Sequence, residues 1–184
     1  QGYSSAASDV YKRQLFLLMG NVANAQTKEE MEASQARYEK LVKLCKKEPK
    51  KTNIPEVDTY VTSVYTSAVA AAATTEQLQG LYYRQIGESK DGVTDVTVKK
   101  PTLEELTSLS ATIAAQAVSI TGAAKSAEAA VQASKGEKNP MKAAKIAAAL
   151  AFTKDAYPIL VEESALQTKA IAEMIETAKT SDNL

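Results

Sequence analysis

Adjacent carboxylate pairs such as Glu104-Glu105 and Glu162-Glu163, and the single thiol of Cys45, are residues whose types could do chemistry. A carboxylate pair can divide general acid and general base work only when both side chains face the same bound substrate. Neighbouring residues on a helix point to different faces, so each pair reads as a solvated or capping feature. The sequence contains no histidine, which excludes His-based triads, His metal sites and imidazole switches near neutral pH. One cysteine rules out an internal disulfide framework and any Cys cluster for zinc or iron. Cys45 falls on the apolar register Met31, Ser34, Tyr38, Leu41, Cys45. A buried small hydrophobe is therefore expected, with a disulfide between two chains as the alternative in an oxidising compartment.

Other catalytic and binding patterns are missing too. No glycine-rich phosphate loop, nucleophile elbow or metal-ligand spacing occurs. The acidic stretch "GESKDGVTDVTVKKP" invites a calcium test. With Gly92 as the invariant loop glycine, Gly87 would fall at the first ligand position and Val98 at the last, and neither can ligate. Ser, Lys and Tyr can act without His, but nothing marks one of them. The expectation is a non-enzyme with no catalytic, cofactor-binding or metal-ligating residue. Basic and acidic residues balance at 22 each, without a basic stripe carrying interleaved aromatics, so nucleic acid is not an expected partner.

The N-terminal residues divide into two pieces. Back-translated, Ser4 to Gln14 matches the transposase adapter used in preparing sequencing libraries, so residues 1–14 read as a non-native prefix outside the fold. Next come the apolar run Leu15 to Met19 and then Ala23-Asn24-Ala25, a small-x-small site with cleavage before Gln26. Residues 15–25 read as a truncated signal peptide. Its apolar run is too short to span a membrane, and no Cys follows the Ala-x-Ala site to take a lipid anchor. The expected mature protein, residues 26–184, is one domain exported to the periplasm or the exterior of a bacterium.

The elements that must carry any site are helical. The fold class expected is all-α: an elongated antiparallel bundle of four main helices over about 27–48, 55–86, 102–135 and 140–180. Thr27-Lys28-Glu29-Glu30 forms a capping box for the first helix, with Lys43, Lys46 and Lys47 near its negative end and Pro49 as its stop. In the second helix Val57, Val61, Val64, Ala68, Ala71, Thr75, Leu78 and Tyr82 recur at helical spacing after Pro55. Thr102-Leu103-Glu104-Glu105 caps the third, whose expected stripe is Leu106, Leu109, Ile113, Ala117, Ile120, Ala124, Ala127 and Val131. Gly136 as C-cap, Asn139 as N-cap and Pro140 in the first turn make a tight turn into the fourth helix, which should kink or break near Pro158. Between helices two and three, residues 81–98 form either a β-hairpin or, the preferred reading, a helix end followed by an extended loop.

Charge is absent from Thr59 to Thr75 and from Leu106 to Ala124. A helix without a charged face can have protein all round it, so helices two and three are expected to be the most buried pair, approaching closely through their small residues. Two functions fit such a bundle. The first is a structural or protein-interaction module, with self-association or a protein partner engaging the small-residue faces. The alternative is a membrane-active or lipid-binding protein whose architecture resembles, in composition only, that of helical pore-forming toxins. Thr107, Ser108, Ser110, Thr112, Gln116, Ser119 and Thr121 make a stably inserted third helix the weaker expectation.

Overall fold

A computed structural model describes residues 28–89, 93, 94 and 97–181. It is all-helical: α1 (Lys28–Cys45), α2 (Pro55–Ile86), α3 (Leu103–Lys135) and α4 (Pro140–Ser181). The order runs up, down, up, down. Val57 at the start of α2 meets Ala130 near the end of α3 and Ile146 near the start of α4, while Ser34 of α1 reaches Glu163 of α4. Successive helices are therefore antiparallel, which the short connections at 46–54 and 136–139 favour.

The ends follow local chemistry. Thr102 accepts the N–H of Glu105 at 3.1 Å, and the Glu105 carboxylate accepts the N–H of Thr102 at 2.8 Å, which completes the expected capping box of α3. Asn139 Oδ1 accepts the N–H groups of Met141 and Lys142 at 2.9 and 3.3 Å and so caps α4. Gly87 ends α2 at φ 73°, the left-handed conformation glycine adopts without strain. Gly136 also follows its helix, yet at φ −81° it is right-handed and its N–H reaches only Ser134. The start of α2 is held from inside the helix. Asp58 accepts the Thr52 N–H and hydroxyl, both at 2.7 Å, and the Asn53 N–H at 3.0 Å, and Asn53 sits at φ 64°. Burial opposes the Asp58 charge, but these donors outweigh it and hold the carboxyl below its ordinary range.

Two expected features change, and the alternatives left open for residues 81–98 are decided among the described residues. Helix α1 ends at Cys45, short of Glu48, and Thr27 of its capping box lies outside the described residues. Helix α4 runs unbroken through Pro158. Both Pro158 and Lys154, whose carbonyl loses its donor, are exposed, so water can serve the orphaned oxygen. Between α2 and α3 the preferred reading holds for the helix end, and no hairpin forms among the described residues. "LYYRQI" completes α2, and one isolated bridge joins Glu88 to Thr94, with the Ser89 N–H donating to the Val93 carbonyl at 2.8 Å.

The largest revision concerns layering. Helices α2 and α4 touch each other and both remaining helices, whereas α1 and α3 lie on opposite sides and do not meet. The central pair is thus α2 and α4, not α2 and α3. Each uncharged helix buries one stripe and leaves the other face open. On α2 the residues Val57, Val61, Val64, Ala68, Ala71, Thr75 and Leu78 are buried as expected, while Thr59, Thr62, Thr66, Val69 and Ala73 are exposed. On α3 Val118 is 73 % exposed. Absence of charge did not mean burial, because Ser, Thr and Ala can also face water at little cost.

The core is stacked in three apolar clusters. Val57, Val61, Ala130, Ile146 and Ala149 fill the end near the α1–α2 and α3–α4 connections. Leu41, Val64, Ala68, Ile120, Ala156 and Leu160 fill the middle. Leu78, Leu106, Leu109, Ile113, Ile171 and Met174 fill the far end. Many of the inward residues are alanines, which let backbones come close but leave no slack for added atoms. Ala71, fully buried, and Ala115, exposed on α3, should therefore differ on enlargement. Ala71→Leu should lower stability by about 1–3 kcal/mol through overpacking, and Ala115→Leu should stay within about 0.5 kcal/mol, both read from urea unfolding midpoints. Equal losses would contradict the placement of α3.

Candidate functional site

Between the middle and far clusters the core is polar. Glu163 of α4 is fully buried and is met from α1 and α2. Ser34 Oγ donates to its Oε1 at 2.6 Å, Thr75 Oγ1 donates to the same oxygen at 2.8 Å, and Arg37 Nε donates to Oε2 at 2.6 Å. One turn along α4, Gln167 Nε2 donates to Thr75 Oγ1 at 2.8 Å and to the Ala71 carbonyl at 3.0 Å. Gln167 Oε1 in turn accepts Gln116 Nε2 of α3 at 2.7 Å. All four helices thus join one hydrogen-bonded layer.

Its amide orientations are dictated by chemistry. A backbone carbonyl only accepts, so Gln167 must turn its nitrogen to Ala71 and its oxygen to Gln116, which must then offer a nitrogen. Gln116 Oε1 is left buried without a partner.

Sequence reasoning placed the Glu162-Glu163 pair in solvent. Glu162 is exposed, but Glu163 is an inward position of α4 and its charge is satisfied within the fold. Glu104-Glu105 behaves as expected: Glu105 caps α3 and Glu104 is exposed. The α3 stripe drifts from the expected one past Ile113. Gln116, Ala123 and Ala130 are buried, while Ala124 and Val131 are exposed and Ala117 is half-buried. The stripe drawn from apolar residues passed over Gln116 because glutamine is polar, and a run of alanines gives no contrast to correct it.

Away from the layer, Arg84 grips Glu105 with both Nη atoms at 2.9 and 3.0 Å and donates through Nε to the Lys99 carbonyl at 3.0 Å. This fork ties the end of α2, the connector and the start of α3 together. The Arg84 hydrogen bond, with the Thr102 N–H, pulls the Glu105 carboxyl down to about 2. Beside this pair a cavity of about 440 Å³ opens between Gln77, Gly80 and Leu81 of α2 and Ser108, Leu109 and Thr112 of α3. A Cβ added at Gly80 would meet nothing within 4 Å. The cavity is continuous with the uncharged outer face of α3.

Cys45 is half-buried beside the middle cluster, and burial pushes its thiol up, away from reactive thiolate. Among the described residues no three His, Cys, Asp or Glu side chains could hold a metal ion, and no helix is long and apolar enough to cross a membrane.

Comparison with known protein families, with curated proteins and with solved structures finds no match for this chain.

Two measurements check the electrostatics. Glu163→Ala would strand Arg37, Ser34 and Thr75 around an empty space, and should lower stability by about 3–5 kcal/mol in urea unfolding. A loss under about 1 kcal/mol would mean the layer is not formed in solution. For Glu105 the folded value lies below the ordinary 4.5, so its contribution is fully present above that pH and is lost as pH falls toward 2. Carbon-detected titration should find its midpoint near 2 in the native chain and clearly higher in Arg84→Ala, yet still below the ordinary value because the Thr102 N–H remains.

Proposed function

We propose that this protein is a non-enzymatic structural or protein-interaction module exported to a bacterial envelope or exterior, engaging partners through the outer face of α3. The proposed export rests on the Leu15 to Met19 run and the Ala23-Asn24-Ala25 site, with cleavage after Ala25.

The observation that carries the reading is an exposed surface without charge. From Leu106 to Ala124 the open positions of α3 include Ser108, Ala111, Thr112, Ala115, Val118 and Ser119, and none of the stretch is Asp, Glu, Lys or Arg. Ser, Thr and Ala can face water, but a water-facing helix surface of this length usually carries charged side chains as well. Charged side chains are depleted at the buried centre of protein interfaces, and small side chains let a second helix approach closely. The partner that fits best is another helix with an equally small, neutral face, and α3 of a second copy meets that description. Gly80 widens the adjoining groove so that side chains from such a helix could enter beside Leu81 and Leu109.

Sedimentation velocity on the full chain over a wide concentration range tests this. Self-association that Ala115→Arg with Val118→Arg abolishes, while helicity by circular dichroism is unchanged, is the expected outcome. A monomer at every concentration that releases dye from lipid vesicles would instead favour a membrane-active protein.

A further inference from the structure

We propose that the groove between the α1–α2 connector and α4 is a binding site for a small amphiphilic carboxylate, one acyl chain or one aromatic ring with a single negative head. The groove holds about 230 Å³, below the range of about 300–1,000 Å³ typical of drug-sized ligands, so it suits a body of one short chain or ring.

Its floor and rim come from different elements. Ala148, Ala149 and Phe152 form the floor on one face of α4, at helical spacing with Lys145. The alanines create the space, since a larger residue at either position would fill it. Phe152 also packs against Tyr65, with ring centroids 6.0 Å apart. Above it the connector contributes Lys47 and Lys50, with Pro49 between them. Glu48 also lines the rim, which leaves three cations against one anion.

Among the described residues none of these three lysines has an ion-pair partner. The surrounding chain is positive as well: Lys40 to Lys51 holds six lysines and one glutamate. Lys43 lies in the last turn of α1, where it answers the helix dipole, but Lys47 and Lys50 lie beyond that helix and beside the apolar floor. Uncompensated ammonium groups around an apolar recess select a ligand that is anionic at one end and hydrocarbon at the other. A fully hydrated anion would leave the floor unused, and a neutral hydrocarbon would leave the lysines unanswered.

Amide NMR titration of the full chain tests the site with sodium octanoate, octylamine hydrochloride and phosphatidylglycerol vesicles as three separate probes. Octanoate is expected to give saturable shifts confined to residues 47–50 and 145–152, weakened by added salt. Lys47→Glu with Lys145→Glu should weaken its affinity about tenfold or more, and Ala148→Leu should do the same by filling the recess. Lys125→Glu, outside the groove, should bind as the parent does. All these positions are exposed, so the fold is retained, as circular dichroism would verify. The proposal is overturned by equal binding of octylamine, by unaltered octanoate binding in the charge-reversed variant, by shifts centred elsewhere or by none at all. It is also overturned by capture of the vesicles without octanoate binding, which would identify an anionic membrane surface as the ligand.

Discussion

A carboxylate moved out of reach of water must be given donors inside the protein, and Glu163 draws them from two other helices: a hydroxyl and a guanidinium from α1 and a hydroxyl from α2. Around it alanine is the commonest buried residue, with leucine, isoleucine and valine between the alanines. Faces of this kind have shallow ridges and grooves, and shallow ridges discriminate poorly between one axial alignment and the next. Sliding α1 or α2 by a turn would preserve much of the apolar contact but would leave the Glu163 charge without its partners. The polar layer therefore supplies the axial register that the small apolar residues leave loosely set, as a buried polar residue does in paired helices elsewhere. Gln116 and Gln167 extend the same constraint to α3.

Much of this was legible from the chain itself. The four helices, the Thr102–Glu105 box, the Asn139 cap and the inner stripe of α2 follow from spacing and capping chemistry, because those rules act within a few residues. What escaped was set by contacts distant in sequence. Glu163 is separated from Ser34 by 129 positions and from Thr75 by 88, and no local pattern distinguishes a glutamate that will be enclosed from one that will not. Gln116 was passed over for the same reason. The Asp58 clamp on Thr52 and Asn53 has a local signal, an acid in the first turn after an Asn-x-Pro turn, that sequence reasoning did not use.

The exposed faces divide into two kinds with different physical meaning. Near the α1–α2 connector lysines are dense and form no ion pair closer than 4 Å among the described residues, whereas the outside of α3 carries neither sign of charge over about five turns. A net charge of zero for the whole chain hides this unevenness. One region favours ligands through attraction from a distance, and the other only through close surface fit, so salt would weaken binding at the first far more than at the second.

The position of α1 has a consequence for how the bundle comes apart. It rests on α2 and α4 alone and never touches α3, yet two of the donors to Glu163 are on it. Lifting α1 would not simply uncover a greasy groove; it would leave an ionised oxygen acid facing an incomplete cradle with only Thr75 still in place. The shortest helix thus completes the polar layer as well as covering it, and separating it from α2 and α4 exchanges two donors to a carboxylate for water.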